Sequence, residues 1–448
     1  MELLRRKIDD VLLSWKNDPN HMPLIVKGAR QIGKTESIRH FGKNNYANYI
    51  EINFALQKQF QDIFDSGFEV DSILRLISFH DPSIEFVPHD TLIFFDELQA
   101  CPNCATSLKS FNQDKRYDVI CSGSLMGISY QQIESNAVGN KEDHLMYSMD
   151  FEEFLWAKGY KTDHINEIYA HMHSLTPYPD SLMNILTESF REFMTVGGMP
   201  AIVNRFVTSG NYGGILKMQR MILQDYEEDI TKYASGMDQA RILNVYHKIA
   251  VFLGKENKKF QITKVALNAR SRDYIGTVEW LESAGIVNRC YCLAQPELPL
   301  RGNYQPEAFK LYFADTGLLI ASLDDEAQED LRNNKNFNAY KGAIYENVMA
   351  ETLVKQGYSL YYWKNDKSTI EMDFFVRDKN SLIPLEVKAN DGTTVSLNKL
   401  IEKESFSDIR YGIKFGNKNI GFNGKFYTFP YFSAFLLKKW IKDNNPAC

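Results

Sequence analysis

Short apolar runs alternate with amphipathic stretches through the first third of the chain. Residues 23–28 (PLIVKG) predict a strand and residues 34–41 a helix; residues 49–54 (YIEINF) predict a second strand, with helical segments through residue 79. Residues 91–95, 118–122 and 144–149 predict three further strands. Strands separated by helical periodicity imply a parallel sheet with helices on its faces. From 151 to about 234 the spacing turns helical, over 151–155, 182–193 and 215–233, interrupted by a polar loop at 176–180. Residues 237–330 predict helices over about 238–255, 263–268 and 272–284, then strands over 286–293 and 309–314, an order that fits a winged helix. The charged, Asn-rich stretch 324–338 predicts a linker. After it come a helix (340–356), three strands, another helix and two strands near 411–415 and 425–429. The expected organisation is α/β: a sheet-and-helix core over 1–150, a helical lid over 151–236, a winged-helix-like domain over 237–323, and a second α/β domain over 339–448.

Composition narrows the class without naming a function. A chain of 448 residues suggests about three domains. Apolar residues at 44% and charged residues at 24% exclude wholesale disorder and fibrous architectures. Apolar runs of about five residues, as at 249–253, predict no membrane span. The start, Met1 to Lys7, lacks the apolar core of a signal peptide and predicts an amphipathic helix. Six cysteines do not make a disulfide scaffold in so long a chain, and a reducing cytoplasm is the expected location. With 51 Lys+Arg against 57 Asp+Glu the net charge is −6, which excludes a nucleic-acid coat protein but leaves room for local basic patches.

Chemistry enters at Gly28-Ala29-Arg30-Gln31-Ile32-Gly33-Lys34-Thr35, which matches G-x-x-x-x-G-K-[ST] between a predicted strand and a predicted helix. The glycines let the backbone curl so that successive N–H groups and the helix N-terminus face a polyphosphate. Lys34 suits the β/γ-phosphates of ATP and Thr35 suits Mg²⁺. Sixty-two residues after Lys34, the apolar strand Leu92-Ile93-Phe94-Phe95 ends in Asp96-Glu97. Asp96 suits the Mg²⁺ shell and Glu97 a general base that polarises the attacking water. The next strand ends in Ser122-Gly123-Ser124; a hydroxyl at Ser122 could sense the γ-phosphate or orient water, and Ser-Gly-Ser is equally ordinary turn chemistry.

A second acidic pattern lies near the end. Residues 369–376 (TIEMDFFV) alternate, placing Glu371 and Asp373 on one face of a predicted strand. Glu386 and Lys388 share a face of the following strand, and Glu346 lies on the helix before them. Carboxylates converging from adjacent strands can bind divalent metal for phosphodiester cleavage, with a lysine positioning the nucleophile. Alternating charges on a solvated sheet face give the same pattern.

These motifs, with residues 150–155 (DFEEFL), 197–200 (GGMP) and 309–312 (FKLY) with Asp315, make the chain resemble AAA-type P-loop ATPases of bacteria and archaea that carry a C-terminal domain of unknown function with a nuclease-like fold. The resemblance implies that the Ser122 strand lies between the phosphate-loop strand and the Asp96 strand. The order Glu346, Asp373, Glu386-x-Lys388 is similar to the PD-(D/E)XK nucleases, although Met372 stands where that family usually has proline. Together the two resemblances imply a Mg²⁺-dependent ATPase and homo-oligomer acting on or with DNA. The metal ligands in its last domain would be Glu346, Asp373 and Glu386, and its catalytic lysine Lys388. The alternative is a nucleotide-dependent switch or scaffold whose C-terminal domains bind DNA or a protein without cutting.

Further signals are weaker. AAA-type assemblies complete the site with an arginine from a neighbour, and Arg191 and Arg205 are candidates or plain surface residues. Cys101 and Cys104 have half a zinc site's spacing but no accompanying pair, which favours a structural role. Lys255, Lys258, Lys259, Lys264, Arg270, Arg272, Arg289 and Arg301 make one region basic enough to meet DNA phosphates. His144, His164, His171 and His173 fall in no ligand spacing.

Overall fold

The computed structural model describes residues 4–124, 137–234, 237–254, 259–260, 264–265, 274–333, 335, 339–365, 370–388, 394–403 and 405–444. The chain divides into two compact units, residues 1–148 with 283–285, and residues 149–282 with 286–448.

In the first unit the first four strands have apolar centres and end at a polar or glycine tip, whereas the fifth, at the sheet edge, is the polar EDHL. β1 (Leu24–Gly28), β2 (Asn48–Asn53), β3 (Thr91–Asp96), β4 (Asp118–Ser124) and β5 (Glu142–Leu145) form one parallel sheet in the order β2-β3-β4-β1-β5. The Ser122 strand therefore lies between the other two, as the resemblance implied. All six residues of β3 are buried, the signature of a central strand covered on both faces. Phe54 stacks on Phe95 at 5.5 Å and Phe111 meets Phe95 edge-on at 6.3 Å, so the core beneath one face is built around the strand that carries Asp96. Register puts the strand tips side by side: Asn53 is opposite Asp96, and Gly28 is opposite Ser124. β5 ends at Leu145 rather than 149 because β1 stops at Gly28 and offers no ladder beyond it.

The second unit opens with five helices: Phe151–Ala157, Thr162–Ser174, Asp180–Val196, Pro200–Ser209 and Ile215–Tyr233. The first begins at a reciprocal cap, Glu153 N–H donating to Asp150 Oδ1 (2.9 Å) and Asp150 N–H to Glu153 Oε2 (3.0 Å). Gly197 and Gly198 are required by close approach. A Cβ on Gly198 would lie 2.1 Å from the Met149 carbonyl oxygen, and Asp315 accepts the Gly198 N–H at 2.7 Å.

The predicted hairpin exists as β6 (Val287–Leu293) against β7 (Tyr304–Phe313), but it is not a free wing. β6 pairs in parallel with β8 (Leu360–Lys364), and β8 pairs with β9 (Glu371–Met372), giving a sheet β7-β6-β8-β9. The hairpin thus shares a sheet with the region expected to form a separate last domain. Most of the predicted helix 263–268, the start of the helix at 272, and Lys255, Lys258, Arg270 and Arg272 lie outside the described residues. The stretch expected as a linker contains the helix Ala327–Arg332, whose Ala327, Gln328 and Leu331 are buried.

A third sheet completes the unit: β10 (Phe374–Arg377), β11 (Leu382–Val387), β12 (Gly412–Gly416), β13 (Gly421–Phe422) and β14 (Phe426–Pro430), in the order β10-β11-β12-β14-β13. The single strand predicted over 369–376 is in fact β9 and β10, paired in different sheets, with Asp373 at the break.

Candidate functional site

The phosphate loop springs from the C-terminal tip of β1 and runs into the helix Lys34–Asn45. Gly33 caps that helix at φ 91°, and Gln31 is also left-handed at φ 63°. A Cβ on Gly28 would strike Ile32 Cδ1 and the Met146 carbonyl oxygen, both at 2.4 Å, so only glycine lets the loop close. Lys34 is only 9% exposed; its Nζ curls back onto the carbonyls of Gly28 (3.1 Å) and Ala29 (2.7 Å). Burial lowers its pKa to about 8, with Glu97 and Asp96 opposing the shift. That places a desolvated ammonium where a polyphosphate would replace two carbonyls as its partner.

Asp96 is the hub of the site. Thr35 Oγ1 stands 3.3 and 3.2 Å from its two oxygens, Asn53 Nδ2 donates to Oδ2 at 2.9 Å, and Ser122 Oγ donates to Oδ1. Ser122, read from the sequence as either a phosphate sensor or ordinary turn chemistry, donates to this carboxylate. Glu97 follows in a left-handed conformation (φ 58°, ψ 50°), and Gln99 Nε2 donates to its carboxylate. The residues present fit a nucleotide with Mg²⁺: a hydroxyl and a carboxylate in contact, an ammonium beside them, and a second carboxylate one residue on.

Two residues of this site carried no motif. Asn53 is the polar tip of an apolar strand, a signal readable only with the register. Arg6 is 5% exposed and forks between the Ile32 carbonyl (2.8 Å) and the Tyr147 carbonyl (2.8 Å), clamping the loop to the chain that leaves β5. Cys101, Cys104 and Cys121 are free and buried, in keeping with a structural role. Arg191 lines a cavity of about 390 Å³ with Glu188, Glu192, Tyr212 and Arg332, and Arg205 is exposed on its helix.

The C-terminal carboxylates are arranged differently from the metal set expected of them. Among the described residues no three His, Cys, Asp or Glu are grouped to hold a metal. Glu346, on the helix Ala339–Lys355, accepts from Tyr312 Oη at 3.2 Å and has Lys310 Nζ at 3.9 Å. Lys310 pairs with Glu371 at 2.9 Å. Asp373 Oδ2 accepts the Val387 N–H at 2.8 Å, and Glu386 pairs with Lys388 at 2.8 Å. Burial raises the Glu386 carboxyl pKa despite Lys388 and Lys414. The physical reason for the departure is β7: it inserts Lys310 and Tyr312 among the acids. Arg289, one of the expected DNA-facing cations, is paired with Glu282 and lies 4.8 Å from the Tyr291 ring centroid.

The parallel sheet, the glycine-bounded loop and the Asp96 cluster together define a P-loop nucleotide-binding domain. Residues 20–155 match the AAA domain family, which supports an AAA-type ATPase domain in this part of the chain. Residues 187–329 match a domain of unknown function, DUF8612, and residues 341–432 match another, DUF4143. No curated protein matches the chain. Similar solved structures include the Holliday junction branch migration motor RuvB of Thermotoga maritima, at 12% identity and a TM-score of 0.30, covering 64% of this chain and 90% of RuvB. AMPPCP-bound DnaA from Aquifex aeolicus aligns at 13% identity and a TM-score of 0.28, over 61% of this chain and 85% of DnaA. PCH-2 of C. elegans aligns at 10% identity and a TM-score of 0.28, over 46% and 63%. Scores that low transfer neither activity nor partner. Among the described residues no helix is long and apolar enough to cross a membrane.

Proposed function

We propose that the chain is a Mg²⁺-dependent ATP hydrolase, working as a homo-oligomer, whose nucleotide cycle controls what residues 149–448 do to DNA or to a protein partner. The observation that carries the ATPase reading is the Asp96 hub with Thr35, Asn53 and Ser122 beside the buried Lys34 ammonium. The phosphates lie against the N–H groups of residues 29–35, and Lys34 exchanges the Gly28 and Ala29 carbonyls for phosphate oxygens. Thr35 and Asp96 would hold Mg²⁺, which supplies charge neutralisation at the phosphates. Asn53 and Ser122 fix the Asp96 carboxylate, and Glu97 takes the proton of the attacking water.

For the rest of the chain, binding without cutting has the better support. Lys310 and Tyr312 satisfy the carboxylate that a nuclease would offer to metal, and Arg289 is held within the fold. Lys34→Ala abolishes ATP turnover, and Glu97→Gln retains nucleotide while lowering kcat by about 10²–10⁴. Undiminished turnover in Lys34→Ala refutes the ATPase assignment; DNA cutting that disappears in Asp373→Ala refutes the non-cutting one.

A further inference from the structure

Lys310 is an improbable residue for its place. It lies on β7, where the last six positions are all buried, and is 1% exposed. Its flanks are Phe309 and Leu311, so the local pattern is that of a core strand. A buried ammonium without partners is strongly unfavourable, and its position makes sense only through what it meets. Nζ is 2.9 Å from Glu371 Oε1, 3.9 Å from Glu346 Oε2 and 4.7 Å from the Tyr362 ring centroid. Burial opposes its charge, yet Glu346, Glu371 and Asp373 outweigh that and push its pKa up, so it stays cationic.

The charges around it balance. Four acids, Glu346, Glu371, Asp373 and Glu386, face four lysines, Lys310, Lys364, Lys388 and Lys414. Lys364 lies 3.4 Å from Glu371, Lys388 lies 2.8 Å from Glu386, and Lys414 is opposite Glu386 in the β11–β12 register. Metal sites in phosphodiester chemistry work the other way, leaving ligand charge for the ion to neutralise. Tyr312, two residues along the same face of β7, adds a hydroxyl on Glu346 and packs 5.7 Å from Phe374.

We infer that Lys310 is a resident cation occupying the role a divalent metal has in nucleases of this arrangement, so that the cluster holds its shape without metal. This rests on the non-cutting reading of these residues, but it fails by ion binding where that reading fails by DNA cleavage. The atom that would betray an error is Glu386 Oε2, which is buried with no hydrogen-bond partner among the described residues.

The test is Mn²⁺ titration of the nucleotide-free full chain, with free ion counted by electron paramagnetic resonance. Wild type binds no ion that depends on Asp373 or Glu386. Lys310→Met binds about one, with Kd at or below about 1 mM, and loses it again in Lys310→Met/Asp373→Asn. Lys310→Met/Glu371→Gln, which removes one charge of each sign, folds and binds none. Wild-type binding abolished by Asp373→Asn or Glu386→Gln overturns the inference, as does a folded Lys310→Met that takes up no Mn²⁺. If Lys310→Met does not fold, the wild-type and charge-balanced arms still decide the matter.

Discussion

Raising the pH through 8 should weaken ATP binding, and the reason lies in one side chain. The Lys34 ammonium is held down from its ordinary 10.5 to about 8 by burial. That difference is worth roughly 3 kcal/mol against the charged form in the empty site. At pH 9 about nine-tenths of empty sites carry a neutral Lys34, whereas a bound polyphosphate restores the charge and the proton with it. Affinity should therefore fall about eightfold between pH 7.5 and pH 9, with uptake approaching one proton per ATP at the upper end. Isothermal titration calorimetry in buffers of different ionisation enthalpy measures both quantities. Lys34→Arg, which keeps its charge throughout, should flatten the profile even where its affinity is poorer. Stability of the empty protein moves the opposite way. The folded value lies below the unfolded one, so the unfolded chain holds the extra proton between pH 8 and 10.5, and this group's contribution to stability rises across that window. A pH-independent Kd from 7.5 to 9 with no proton uptake refutes the reasoning.

Two further outcomes are expected from contacts outside the motif. Arg6→Ala removes the fork that binds the Ile32 and Tyr147 carbonyls, and the KM for ATP should rise about tenfold or more with a smaller change in kcat. Arg6→Lys should recover only part of this, because an ammonium does not reproduce the planar fork; an unaltered KM in Arg6→Ala sinks the clamp. Gly198→Ala would force a methyl to 2.1 Å from the Met149 carbonyl oxygen, where the neighbour is backbone and cannot swing aside. A cost of about 1–3 kcal/mol and a thermal midpoint lower by about 2–5 °C are expected in scanning calorimetry, and an unchanged midpoint contradicts the close approach.

Legible in the chain is whatever is written locally. The central strands of the first unit are apolar runs, the phosphate loop is contiguous, and Asp96 closes its apolar strand without ambiguity. Arg6 is invisible in sequence because its two acceptors are 26 and 141 residues away and nothing near it repeats. The helix Thr162–Ser174 gives only a faint signal although Ile165, Ile168 and Met172 line one side, since the polar residues between them dilute it. The acidic pattern is legible as residues but not as chemistry. Its alternation suggests one strand, whereas Asp373 sits between two strands of different sheets, and the cation that changes the meaning of Glu346 comes from β7. Lys310 stands within a recognisable segment, but its burial depends on strand pairing that no local pattern reveals.

The pairing of β6 with β8 bears on how this chain can be cut, swapped or inherited. Cys290, Tyr291 and Cys292 lie alongside Leu360, Tyr361 and Tyr362. A truncation placed just before residue 339 leaves β6 with a raw edge of unpaired amides, the kind of surface that recruits other chains into aggregates. A fragment beginning there strands β8 in the same way. The unit of recombination is thus larger than the two domains of unknown function that the family boundaries suggest: a workable graft has to carry the hairpin along with the final sheet.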